Sequence, residues 1–139
     1  MKILPVFIPH LGCPFDCIYC NQKIITKTEV LDHRYLQEQI TRFCCSKPEF
    51  EKQIAFYGGT FTNLSADVQQ MYFDFVKPFF SNCSIRISTR PDAVIKEKLS
   101  ICKRNNVKVI ELGIQSFDDG VLKHSKRGYN SIQAEAACS

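Results

Sequence analysis

The chain has 139 residues, 45% hydrophobic and 23% charged, with a formal net charge of +4 at neutral pH. This length suits one domain with a genuine core, and the composition is that of a soluble globular protein with no uncharged apolar run long enough to cross a bilayer. The basic residues are spread along the chain rather than gathered in a tail, so the excess permits a polyanionic partner without demanding one.

The first apolar run, about Leu4 to Ile8, reads as a strand, and Pro5 and Pro9 interrupt the segment too early for a signal peptide. Without an export signal the eight cysteines are not expected to form a disulfide framework. A metal or cluster in a reducing cytoplasm is the better account, and oxygen is expected to damage it.

Three of those cysteines follow the strand at once, Cys13, Cys17 and Cys20 in Gly12-Cys13-Pro14-Phe15-Asp16-Cys17-Ile18-Tyr19-Cys20. Four ligands usually close a structural zinc site or an iron-sulfur cluster, so three thiolates leave one metal position for another ligand. Zinc fits poorly, because no Cys-x-x-Cys or His-x-x-x-His partner occurs elsewhere. The spacing also matches one face of a helix, but Gly12 and Pro14 mark a turn instead. Cys44, Cys45, Cys83, Cys102 and Cys138 lie in apolar or helical stretches and read as small buried hydrophobes without a ligand role. His10, His33 and His124 have no spacing that suggests a metal site or triad.

The rest alternates. Leu36, Ile40 and Phe43 repeat at helical spacing, a strand runs from Gln53 to Tyr57, and Val68, Met71, Tyr72 and Phe75 mark a second helix capped by Ser65, favoured by Asp67 and halted by Pro78. A third strand, Ser84 to Ser88, precedes a helix with Ile95, Leu99 and Cys102 facing the core. A fourth strand, Val107 to Leu112, leads to a capping-box pattern at Ser116 and Asp119, and Ser131 to Ser139 reads as the first turns of a further helix. The strands, nearly continuous in apolar character apart from Arg86, predict an α/β fold of about four βα units, a parallel sheet covered on both faces.

In such folds ligands gather beyond the carboxyl ends of the strands. The cysteine loop, Gly58-Gly59-Thr60, Ser88-Thr89-Arg90-Pro91-Asp92 and Gly113-Ile114-Gln115-Ser116 all fall there. Paired glycines let backbone approach a ligand, although a plain turn explains them as well. Ser88 and Gln115 offer hydrogen bonds or simple caps. Of the two nearby cations, Arg90 and Arg127, the second is the better carboxylate partner, standing in Lys126-Arg127-Gly128-Tyr129 where glycine ends a helix.

The three-cysteine loop with Tyr19 before its last cysteine resembles that of the radical S-adenosylmethionine enzymes. Gly58-Gly59-Thr60, Thr89-Arg90-Pro91-Asp92, Glu111-Leu112-Gly113-Ile114-Gln115-Ser116 and Lys126-Arg127-Gly128 are similar to the branch containing the catalytic subunit of Elongator and, more distantly, oxygen-independent coproporphyrinogen III oxidases. The resemblance implies a partial (β/α) barrel and a 4Fe-4S cluster on Cys13, Cys17 and Cys20 whose fourth iron is chelated by S-adenosylmethionine. Reductive cleavage would then give a 5′-deoxyadenosyl radical that takes hydrogen from substrate. It further implies that Gly58, Gly59 and Thr60 meet the methionine amino group and that Tyr19 lies by the adenine. Ser88, Glu111 and Gln115 would line the ribose and methionine side, and Arg127 would pair with the carboxylate.

A one-electron donor of flavodoxin or ferredoxin type, and either transfer RNA or a small molecule as substrate, are the implied partners, with no membrane partner. Ser88 and Tyr129 depart from the Elongator branch, which has glutamate and histidine there. With six βα units in the family barrel, residues 1–139 are expected to be the N-terminal part of a core domain, its fourth strand left with an open edge. The alternatives are a non-catalytic iron-sulfur or metal-binding module, including one with a nucleic-acid partner, or an inactive truncated remnant.

Overall fold

The computed structural model describes residues 1–8, 13–20, 32–47 and 51–139. Gly12, used above to argue for a turn, and His10 lie outside the described residues. In chain order the elements are β1 (Lys2–Phe7), α1 (His33–Cys45), β2 (Lys52–Tyr57), α2 (Ala66–Val76), β3 (Cys83–Thr89), α3 (Lys96–Arg104), β4 (Val107–Leu112), α4 (Asp119–His124) and α5 (Ser131–Ala136). The four strands form one sheet in the order β1-β2-β3-β4, and every pairing is parallel. This is a partial barrel of the α/β type. Among the described residues β4 pairs on one side only, with β3, and no helix is long and apolar enough to cross a membrane.

Local chemistry accounts for the elements. Asp32 caps α1, its carboxylate accepting from the Arg34 and Tyr35 amides at 2.9 and 3.2 Å. Beyond Val76 the chain tightens into a 3₁₀ turn, Lys77–Phe79, as Pro78 removes an amide donor. Ser65 stands at the N-cap of α2 but contributes its carbonyl, accepting from the Gln69 amide at 3.0 Å, rather than its hydroxyl. The capping box expected at Ser116 is displaced: Asp118 caps α4, accepting from the Val121 amide at 2.8 Å, while Ser116 accepts from the Asp118 amide. A true capping box opens α5, where Asn130 and Gln133 satisfy each other's backbone.

Among the described residues the helices pack on one face of the sheet, and the other face is partly polar. Val6, Ile8, Ile54, Phe56, Ile85 and Ile87 meet Leu36, Ile40 and Cys44 of α1, Tyr72, Phe73 and Val76 of α2, and Cys102 of α3 in one core. Phe61, just beyond β2, is fully buried between them, with ring centroids 5.5 Å from Phe56 and 5.4 Å from Phe73. On the opposite face Ile3 and Phe7 of β1 remain exposed, and Gln53, Arg86 and Glu111 form a polar row.

The helical stripes are shifted from those expected. The most buried residues of α2 are Tyr72, Phe73 and Val76, with Val68, Met71 and Phe75 at the margin. In α3 only Cys102 is buried; Ile95 and Leu99 stay exposed, because the sheet beneath ends at β4 and Leu99 opens onto a groove with Val94, Ile110 and Leu112.

Candidate functional site

Residues 13–20 contain no helix; a turn at Ile18 and Tyr19 brings the Cys20 amide to the Cys17 carbonyl at 3.0 Å. The cysteines therefore sit on a loop, not on a core-facing helical stripe. Cys17 is buried, and Cys13 and Cys20 are half-buried. Cys17 is held from across the chain: the Arg127 Nη1 donates to its sulfur at 3.4 Å and its thiol reaches the Lys126 carbonyl at 3.7 Å. The Cys13 thiol reaches the Phe15 carbonyl at 3.7 Å. Among the described residues no group of three or more His, Cys, Asp and Glu side chains is arranged to hold a metal ion, so the three thiols share a loop but do not yet converge.

The other cysteines divide. Cys44, Cys83 and Cys102 are buried, whereas Cys45 and Cys138 are exposed, against expectation. Consecutive helical residues point about 100° apart, so with Cys44 on the core stripe of α1 its neighbour faces outward. Contact with Cys83, together with burial, pushes the Cys44 thiol far up, and burial raises that of Cys102, leaving both protonated and inert.

Arg127 owes its position to the end of α4. Its amide reaches back to the Leu122 carbonyl at 3.0 Å while the Lys126 amide reaches Lys123 at 3.1 Å, the paired bonds of a Schellman ending. The left-handed residue of that ending is Lys126, with φ 55°, rather than the glycine expected; Gly128, φ 77°, comes two residues later. This ending turns Arg127 inward. Its Nε donates to the Tyr129 hydroxyl at 3.0 Å and its Nη2 to the Gly113 carbonyl. Burial works to lower its pKa and is outweighed by the bonds to Tyr129 and Cys17, which keep the guanidinium charged.

A belt of contacts runs along the strand ends. The Thr62 and Thr89 hydroxyls are 2.6 Å apart, the Gly113 amide donates to the Thr89 carbonyl at 2.9 Å, and Arg127 joins Gly113 to Cys17. Arg90, the cation ranked second on sequence, is 3% exposed. It forks onto Asp92 at 2.9 and 3.0 Å and donates to the Arg127 carbonyl.

The remaining candidates fall along this rim and the polar face of the sheet. At Gly58, φ 101°, an added Cβ would meet the Ile8 carbonyl oxygen at 2.5 Å, so its bareness serves the approach of the end of β1. Gly59 follows with φ 70°. Thr60 is fully buried and its hydroxyl has no hydrogen-bond partner, a costly arrangement in a core and a useful one beside a polar ligand. Ser88 and Glu111 are register partners across β3 and β4.

Glu111 accepts from Arg86 at 2.5 Å and from the Tyr57 hydroxyl at 3.1 Å; Gln53 accepts from the Arg86 Nε at 3.0 Å. Burial and this bond to Glu111 raise the Tyr57 phenol above its ordinary value. Gln115 is exposed and, with φ 74°, holds a left-handed backbone that few residues other than glycine adopt. Tyr19 is half-exposed, its ring 6.0 Å from the Arg127 guanidinium, and burial raises its phenol despite that charge. Reading the sequence missed Arg86, Tyr57 and Phe15. Arg86 alone carried a signal, as the charged interruption of an apolar strand.

Comparison with known proteins adds an independent line. The model of the Radical SAM superfamily matches residues 7–138. An uncharacterized protein of Methanocaldococcus jannaschii, MJ0486, is 32% identical over 130 residues, 90% of this chain and 38% of its own length. The heme chaperone HemW of Bacillus subtilis is 30% identical over 132 residues, 88% of this chain and 34% of its own. The chain thus spans little more than a third of these relatives. Among solved structures, the Methanocaldococcus infernus Elp3 with an N-terminal deletion superposes with a TM-score of 0.65 at 18% identity, covering 98% of this chain and 34% of that one, a likeness of fold.

Proposed function

The chain belongs to the radical SAM superfamily, and on that premise we propose that it is the cluster- and S-adenosylmethionine-binding part of a radical SAM enzyme. The observation that carries this reading is the Arg127 bridge, which ties the sulfur of Cys17 to the Gly113 carbonyl and so sets the cysteine loop on the strand-end rim. The donor set suits a four-iron cluster: three thiols on one short loop, one fewer than such a cluster's four irons. The unpartnered Thr60 hydroxyl suits a polar ligand at the same rim.

In this reading Cys13, Cys17 and Cys20 hold the 4Fe-4S cluster, and Gly58, Gly59 and Thr60 receive the amino end of S-adenosylmethionine. Ser88, Glu111 and Gln115 line the ribose side, Tyr19 the adenine, and Arg127 the carboxylate. When bound, the pair supplies one-electron cleavage of a sulfonium carbon–sulfur bond and hydrogen abstraction from substrate, with the electron coming from a flavodoxin- or ferredoxin-type donor. The chain's own residues orient and bind. The Nη1 of Arg127, whose partner is the Cys17 sulfur, is the arm a carboxylate would compete for. Arg86 and Tyr57 hold the Glu111 carboxylate by hydrogen bonds, fixing it on the polar face of the sheet.

Anaerobic reconstitution with iron and sulfide tests the proposal. The expected product has four irons per chain and a broad absorbance near that of 4Fe-4S proteins, lost in Cys17→Ser, and it forms 5′-deoxyadenosine with dithionite and S-adenosylmethionine. Absence of iron binding would end the reading. A second reading, a cluster-binding module without turnover, is favoured by the exposure of Ile3 and Phe7 on the face of the sheet opposite the helices. Iron binding without 5′-deoxyadenosine would select it.

A further inference from the structure

Within the cysteine loop Phe15 stands between two proposed ligands and cannot itself bind metal, yet, although 37% exposed, it is packed against the rim. The guanidinium carbon of Arg90 lies 4.6 Å from its ring centroid and 5.1 Å from that of Tyr129. Gly128 backs onto the same ring so closely that an added Cβ would sit 2.3 Å from the Phe15 Cζ. Arg90 is buried, and its Nη1 has no hydrogen-bond acceptor. A buried cation short of one acceptor gains from aromatic faces, so the two rings complete what Asp92 and the Arg127 carbonyl leave undone. Beside this contact the loop is latched by its backbone: the Ile18 amide donates to the Ser125 carbonyl at 3.3 Å, and the Cys17 thiol reaches that of Lys126.

We infer that Phe15, Arg90 and Gly128 are positioning residues, a clasp that seats the cysteine loop against residues 125–129 before any metal is bound. A loop free to wander would lose its conformational entropy at the moment of cluster capture, and a seated one has already lost it. The functional meaning rests on the reading of this loop as the cluster loop, but the clasp belongs to the chain without iron and is testable there.

The test is the rate at which iodoacetamide labels Cys17 in the reduced, metal-free chain, followed site by site by mass spectrometry, with Cys102 as the internal control. Both are buried, at 6% and 2% exposure. Phe15→Ala and Gly128→Ala should each speed labelling of Cys17 roughly tenfold by easing local opening, while Cys102 stays protected. Phe15→Ala also removes the ring that a Cβ at 128 would strike. Gly128→Ala should therefore add less in that background than in the unmodified chain.

Labelling of Cys17 at the unmodified rate in Phe15→Ala overturns the inference. So does faster labelling of Cys17 and Cys102 together, which would make these residues general supports of the fold. An equal increment from Gly128→Ala in both backgrounds would assign its effect to the φ of 77° and remove Gly128 from the clasp. Failure of the enzyme reading would instead appear as absent iron in reconstitution, with the labelling pattern untouched.

Discussion

The two sides of this small sheet are built on opposite terms. On the helix side Phe56, Phe61, Tyr72 and Phe73 pack ring against ring, with centroids 5.2 to 5.5 Å apart for the closest pairs, and hydrophobic burial is the chief force there. At the rim the buried groups include Arg90, Arg127 and Thr60, two of them cations and one a hydroxyl without a partner. Left-handed backbone follows the same division. Of the residues with left-handed φ among those described, Gly58, Gly59, Gln115, Lys126 and Gly128 lie in rim segments, and only Asn106 lies elsewhere. Two of the three buried polar atoms without a partner, Thr60 Oγ1 and Arg90 Nη1, also lie at the rim, where a ligand can use them. The core supplies the stability that the rim gives up.

The contrast can be broken most severely from the core. Phe61→Ala, at a fully buried ring touching three others, is expected to cost about 3–5 kcal/mol, a large part of a typical domain's stability, as read from the midpoint of urea unfolding. An effect under about 1 kcal/mol would mean that the aromatic cluster is not the fold's mainstay.

The rim should answer in the opposite direction. Thr60→Val keeps the shape and removes the unpartnered hydroxyl, so the metal-free chain should gain about 1 kcal/mol, while calorimetric affinity of the reconstituted protein for S-adenosylmethionine falls. A loss of stability would show that the hydroxyl is satisfied and that the rim is ordinary packing. Smaller still, Lys126→Gly relieves the left-handed strain at the end of α4 and should raise the melting temperature by a few degrees, about 0.5–1 kcal/mol, without altering iron content. No change there would mean that flexibility gained by the unfolded chain offsets the relief.

Much of the fold was legible because its signals are local. Runs such as Gln53 to Tyr57 and Val107 to Leu112 are rich in apolar and branched side chains and end at glycine, and each became a strand within a residue or two. The α2 stripe was misplaced by about one residue because Tyr72 and Phe73 are both apolar, and only the sheet they pack on chooses which faces inward. The α4 cap moved from Ser116 to Asp118 for a related reason: neighbouring residues of equal capping ability compete, and the incoming strand end decides. The candidate site was legible as a list of strand-end motifs, not as an arrangement.

What the amino-acid sequence determined by itself was the element order, the parallel α/β class and the chemistry of a three-thiol loop, since periodicity, turn residues and ligand type depend on residues close together in the chain. Tertiary structure alone decided that Arg127 meets a sulfur 110 residues away, that Arg90 is buried against Phe15, and that Gln53, Arg86 and Glu111 share a polar row. Such contacts join segments whose separation leaves no periodic trace. They form only when strand pairing carries the loop ends to a common rim, so which cation turns inward depends on the shape of the whole fold.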